Sequence, residues 1–260
     1  MRHHKKYDEV NTLVAHDIAT LLTGEKGSGK TTLAKQVADD NERKFFSISM
    51  TRQTTLGHLL GFISVNGTYI PSLLRNAFEH GGMMLIDEID AGDPNVLLSL
   101  NTIENGYISF PDGLVNKHKE FRLVATANPK DQHSSYTGRA KLDAATLDRF
   151  DEVTMDRDED LEKSLVDTDT FQRMTLLRKI LKSQNSGIVV SMRDSMRYQA
   201  RKELDLLNDF VYGLVDKDAL IYERYTAESK AMPKQSSQSD CMNFEDLVET
   251  ARVQSGLPSS

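Results

Sequence analysis

Gly24-Glu25-Lys26-Gly27-Ser28-Gly29-Lys30-Thr31 has the residue types and spacing of a phosphate-binding loop, G-x-x-x-x-G-K-[ST]. Glycines let the backbone curl until successive N–H groups point at phosphate oxygens. A helix that starts at the end of such a loop adds a favourable dipole. Lys30 then reaches the β- and γ-phosphates as a point charge, and Thr31 offers a hydroxyl to Mg2+. A chance glycine-rich turn has the same composition. The apolar run before the motif and the helical pattern after it favour the phosphate loop.

Two further segments carry polar residues where chemistry would need them. Met83-Met84-Leu85-Ile86-Asp87-Glu88 is an apolar strand pattern ending in two carboxylates. In a parallel sheet, ligands sit at the carboxyl ends of strands. Asp87 would face the phosphates and hold Mg2+, and Glu88 would orient and polarise the attacking water. A solvated strand end is the alternative when the pair is read alone. Val124-Ala125-Thr126-Ala127-Asn128-Pro129 ends a second buried pattern in an amide. Asn128 there can hydrogen-bond a γ-phosphate and a water, and equally suits a turn before proline. Asp93 precedes Pro94 and reads as a helix cap. Arg149 and Arg193 are of the type that stabilises a transferring phosphoryl group. Composition alone would leave both as surface charges.

The elements that must position these residues alternate in kind. Strand patterns cover Ile18 to Thr23, Phe45 to Ser49, Met83 to Asp87, Phe121 to Asn128 and Asp151 to Met155. Helical patterns run from Thr31 to Asp40, after Pro71 to Phe78, and from Asp93 to Asn105. Tyr107 to Val115 reads as a hairpin around Pro111-Asp112-Gly113. This alternation predicts an α/β fold, a mostly parallel sheet sandwiched by helices. The predicted organisation is an α/β nucleotide-binding subdomain over 1–157, a helical lid over 158–225 and a flexible tail over 226–260. The tail is expected to hold one short helix after Asn243. The basic lead before Tyr7 reads as a solvated tail.

Composition narrows the function classes. Of the 260 residues, 38% are hydrophobic and 27% charged, a globular balance. No apolar run is long enough to span a bilayer. Cys241 is the only cysteine, so an internal disulfide and a cysteine metal cluster are excluded, and the chain suits a reducing cytoplasm. A net charge of −7 disfavours a broad nucleic-acid surface and leaves room for a local basic patch; Lys117-His118-Lys119 reads as a solvated loop tip, with nucleic-acid contact as the alternative.

In order and spacing the chain resembles the AAA+ ATPases, and more narrowly their MoxR-like and cobaltochelatase CobS-like branch, a dynein-related group with many phage-encoded members. The resemblance rests on GEKGSGKTT, SMTRQTTLGHLLG, the segment GTYIPSLLRNAFEHGGMMLIDEIDAGDPNVLLSLNTIENG, FRLVATANP and YTGRAKLDAATLDRF. It covers residues 12–200. It implies ATP held by Gly24, Glu25, Lys26, Gly27, Ser28, Gly29, Lys30, Thr31, Thr32 and Asp87, with Mg2+ on Thr31 and Asp87. It implies catalytic roles for Glu88, for Asn128 as sensor 1, for Arg149 as a finger acting on the neighbouring subunit's ATP, and for Arg193 as the lid's sensor 2. Arg139 is a second candidate for the finger. His16, Asp17 and Ile18 are the nearest candidates for adenine contacts, and Tyr69 lies in a segment that lines the pore in relatives, where it could grip a client or equally belong to the core. The implied assembly is a homo-oligomer, most often a hexameric ring, whose ATP turnover remodels a protein client or a partner carrying a von Willebrand A domain. The alternatives are a nucleotide-gated scaffold with little hydrolysis and a DNA-directed or GTP-using, McrB-like motor.

Overall fold

The computed structural model describes residues 2–129, 144–204, 206–207 and 210–232. Arg139, the polar stretch from residue 233 and the helix expected after Asn243 lie outside the described residues. The chain divides into two compact units. One comprises Lys5–Gly24 and Lys30–Met155; the other takes in Met1–His4, Glu25–Gly29 and the chain from Asp156. No helix among the described residues is long and apolar enough to cross a membrane.

The first unit is α/β. Its elements, in chain order, begin with α1 (Tyr7–Ala15), β1 (Thr20–Thr23), α2 (Lys30–Asp40) and β2 (Phe45–Ser49). Then come α3 (Leu56–Leu60), β3 (Phe62–Ile63), β4 (Tyr69–Ile70), α4 (Leu73–His80), β5 (Gly82–Asp87) and α5 (Pro94–Leu97). β6 (Tyr107–Phe110), β7 (Gly113–Asn116), β8 (Phe121–Ala127), α6 (Ala144–Leu147) and β9 (Asp151–Thr154) complete it. The main sheet has the order β2-β5-β8-β1-β9, and every pairing in it is parallel. Two small antiparallel pairs, β3-β4 and β6-β7, stand outside it.

Period-two alternation builds the two faces. Met83 and Leu85 of β5, Val124 of β8 and Leu22 of β1 pack with Val10 and Val14 of α1 and Leu33, Ala34 and Val37 of α2. The intervening Met84, Ile86, Leu123, Ala125 and Leu21 pack on the other face against Leu74, Ala77 and Phe78 of α4. β5 and β8 are therefore apolar on both sides, as central parallel strands should be. The α4 helix starts on Ser72, whose Oγ accepts the Arg75 amide at 3.0 Å.

Several local expectations are corrected. β1 starts at Thr20 rather than Ile18, because Asp17 adopts a left-handed φ of 60° and the Ile18 amide bonds back to Leu13 O at 3.0 Å, closing α1. The helix begun at Asp93 is α for only four residues and then 3-10 over Leu98–Thr102. Its buried residues, Leu97, Leu100 and Ile103, recur every third position, a spacing that a three-residue turn stacks directly. The loop after β7 is held at its base, while Lys119 is exposed. The Lys117 ammonium pairs with Asp17 at 2.7 Å, and the His118 amide donates to Phe78 O at 2.8 Å. The Tyr69 hydroxyl donates to Leu60 O at 2.7 Å and the ring packs on the main core, so its contacts are internal.

The second unit is helical: α7 (Glu159–Leu165), α8 (Thr168–Ser183), α9 (Met192–Glu203), α10 (Phe210–Leu214) and α11 (Ala219–Lys230). Met174, Leu177, Ile180, Leu181, Val215 and Ile221 form its core. Asp158, Asp167, Ser191 and Asp218 cap α7, α8, α9 and α11, each accepting backbone amides of the first turn. α11 continues past Tyr225 to Lys230, because Ser229 on the same face is also buried. The basic lead is not a solvated tail throughout: His4 is buried, and its Nε2 bonds Asp156 O at 3.0 Å.

Candidate functional site

In the α/β unit, strand register and parity bring a polar cluster to the carboxyl ends of β5 and β8. Leu85 pairs with Val124 and Ile86 with Ala125, so Asp87 and Thr126 are the next residues along. Asp87 shares the parity of Met83 and Leu85, and Thr126 that of Val124, which puts both on the α2 side. Thr31, in the first turn of α2, directs its Oγ1 to the Asp87 carboxylate, 3.2 and 3.3 Å from the two oxygens. Thr126 Oγ1 donates to Asp87 Oδ1 at 2.5 Å and accepts the Glu88 amide at 2.9 Å. Glu88 itself is left-handed, with φ 54° and ψ 45°. A non-glycine residue holds that conformation at a cost of about 1–3 kcal/mol, supplied by its surroundings. The turn ends β5 at Asp87 and frees Glu88 from the strand's alternation.

Gly24 closes β1 with its amide on Ala127 O at 3.3 Å, and the Lys30 ammonium donates to Gly24 O at 2.7 Å. The residues between them, Glu25–Gly29, group with the helical unit. Gly27 and Gly29 take φ of +78° and +93°, which side chains rarely adopt. A Cβ on Gly27 would lie 2.6 Å from both Cβ and Oγ of Ser191 and 3.5 Å from Cβ of Arg193, so the loop passes closely over the start of α9. That start is itself fixed. Ser191 and Asp194 form a capping box, and Arg178 of α8 donates to Val190 O at 2.9 Å and Ser191 O at 3.3 Å. Arg178 also pairs with the fully buried Glu162 of α7 at 2.7 Å, and Ser195 of α9 hydrogen-bonds the same carboxylate. Burial lowers the Arg178 pKa, and the Glu162 carboxylate opposes that shift.

Residues 19–150 match the AAA domain of the dynein-related subfamily. The chain belongs to this family. It is 29% identical over 143 residues to midasin of Giardia intestinalis, covering 52% of this chain and 3% of that protein. It is 26% identical over 162 residues to an uncharacterized protein of Staphylococcus saprophyticus, covering 58% and 60% respectively. The chain thus spans less than two thirds of the length of either relative. Among solved structures, NtrX from Brucella abortus in complex with ADP is similar at a TM-score of 0.48 and 13% identity, over 95% of this chain and 60% of that one.

The AAA domain's other expected site residues are distributed around these two groups. Asn128 follows directly on β8, half-buried before Pro129. Glu25 and Lys26 are exposed, Ser28 is buried, and Thr32 lies in the first turn of α2 beside Thr31. Arg193 is the second residue of α9. Arg149 follows α6 and lies 3.9 Å from the Glu104 carboxylate. His16 and Asp17 are engaged locally, His16 with Thr12 O at 2.8 Å and Asp17 with Lys117. The hydroxyl of Thr31 and the carboxylate of Asp87 are hard oxygen donors within reach of one another. They fit Mg2+, which takes a few protein oxygens and completes its shell with water and phosphate. Thr126 and Arg178 escaped the sequence reading. Thr126 had one visible signal, a hydroxyl inside an apolar run. Arg178 had none, since its partner Glu162 is sixteen residues away.

Proposed function

We propose that this AAA domain hydrolyses ATP to ADP and phosphate with Mg2+, within a ring of identical chains, and uses turnover to remodel a protein partner. The observation that carries the reading is the shared placement of Thr31 and Asp87, a helix-start hydroxyl against a strand-end carboxylate, directly after a glycine loop with left-handed φ. In this reading the amides of Glu25–Gly29 and the Lys30 ammonium bind the phosphates. Thr31 and Asp87 would hold Mg2+, which would supply neutralisation of the phosphate charge. Glu88 orients a water and draws its proton as the water oxygen bonds to the γ-phosphorus. The bond from that phosphorus to the β–γ bridging oxygen breaks, and ADP carries the electron pair away. Asn128 fixes the water and the γ-phosphate, Arg193 meets the phosphates from its own chain, and Arg149 meets those of the adjacent chain.

The finer reading is a MoxR-like or CobS-like remodeller of the cytoplasm, acting on a protein client or a partner with a von Willebrand A domain. Its support is the motif order along residues 12–200. The test is ATP turnover per chain against protein concentration. A steep rise is expected for a site completed between chains, and Arg149→Ala should flatten it. Lys30→Ala should abolish nucleotide binding. Glu88→Gln should bind ATP and turn it over at least about 100-fold more slowly. Wild-type turnover by Glu88→Gln would remove Glu88 from the hydrolytic role, and competition by GTP at equal strength would overturn the choice of ATP.

A further inference from the structure

Thr126 is 1% exposed, and its hydroxyl makes two bonds that join the two acidic residues of the site. It gives its proton to Asp87 Oδ1 at 2.5 Å and takes the Glu88 amide proton at 2.9 Å. Thr31 reaches the same carboxylate from α2, at 3.2 and 3.3 Å. Thr126 and Thr31 thus both orient the Asp87 carboxylate. The second bond lands on the residue with the left-handed backbone, where an unsupported Glu88 would relax toward the strand.

We propose that Thr126 is a positioning residue for hydrolysis, orienting Asp87 and holding Glu88 in its turned conformation through one hydroxyl. The inference rests on the ATPase reading of the same site. It assigns to Thr126 no contact with ATP or water. Its effect passes through the metal-holding carboxylate and the water-directing residue, as outer-shell groups generally act.

Valine keeps the size and β-branching of threonine and removes only the hydroxyl, while serine keeps the hydroxyl. Thr126→Val is expected to lower kcat about 10- to 100-fold. KM for ATP should stay within about threefold, since phosphate binding is untouched. The Mg2+ concentration for half-maximal binding of a fluorescent ATP analogue should rise severalfold, a readout that does not depend on turnover. Thr126→Ser is expected to restore most of both. Wild-type kcat and Mg2+ dependence in Thr126→Val would overturn the inference, as would a serine variant as impaired as valine at an unchanged melting temperature. If Thr126→Val does not fold, Thr126→Ala compared with Thr126→Ser decides the same point. A wild-type chain that neither binds nor hydrolyses ATP would overturn the proposed function, and this inference with it.

Discussion

In the α/β unit the side chains packed around β5 and β8 are mostly hydrocarbon, and the buried Arg75 of α4 is paired with Glu79 and Asp112. Arg122 of β8 is spent on carbonyls, with Nε on Val14 O at 2.6 Å and Nη1 on Phe121 O at 2.7 Å. In the helical unit a carboxylate sits fully buried between three helices. Glu162 of α7 meets Arg178 of α8 and Ser195 of α9, and Arg157 approaches at 3.1 Å. Nearby, Thr170 and Gln199 bond α8 to α9 at 2.8 Å, and Lys202 bridges Asp167 and Asp169. The difference has a structural cause. Strands in a sheet align one another through backbone hydrogen bonds, so apolar faces suffice to bury them. Helices satisfy their backbones internally, so side chains must specify how α7, α8 and α9 meet.

The largest expected effect is at the buried carboxylate. Glu162→Ala should cost the helical unit about 3–5 kcal/mol, because Arg178 loses its counter-charge in a buried place. Hydrogen exchange would read this as lost protection in α7–α9 with β5 and β8 unchanged. Equal loss in both units would break the comparison. Next comes the cap of α8. Asp167 accepts the Thr170 amide at 2.6 Å, and Asp167→Ala should cost about 1–2 kcal/mol, again confined to the helical unit.

The smallest effect is in pH. Burial alone would raise the Asp167 carboxyl, but hydrogen bonds from Lys202 and Thr170 outweigh it and hold the carboxyl below its ordinary range. A depressed carboxyl contributes stability above its unfolded value, near about pH 4, and that contribution is lost as pH falls through the folded value. For Lys202, burial acts to lower the pKa, and its two aspartates raise it on balance. Its contribution is complete below about pH 10.4 and disappears as pH rises through the folded value. In the α/β unit the depressed carboxyls, Glu79 held by Arg75 and Glu120 held by Arg43, sit at the surface where such pairs contribute little. Acid titration followed by hydrogen exchange should therefore loosen α8 and α9 before β5 and β8. The reverse order would assign the acid sensitivity to the sheet.

Much of the α/β unit was legible because its signals are local. Short apolar runs mark β5 and β8, and their alternation assigns Met84 and Leu85 to opposite faces. The octapeptide from Gly24 and the cap at Asp93 name their own conformations. The 3-10 segment after Leu97 was less so, since its i, i+3 spacing also occurs within a helical stripe. Parity even permitted the pairing of Asp87 with Thr126, had the strand order been known.

What the amino-acid sequence determined by itself is therefore the kind of element and the residue types at the strand ends. These depend on period, backbone preference and side-chain type within a few residues. Only tertiary structure decided that one threonine would join Asp87 to Glu88, that Glu88 would turn left-handed, and that Gly27 would pass against Ser191. The same holds for Arg178 reaching Glu162. Each depends on residues brought together by strand register or helix packing from distant parts of the chain, and a buried polar group declares its role only when its partner is in place.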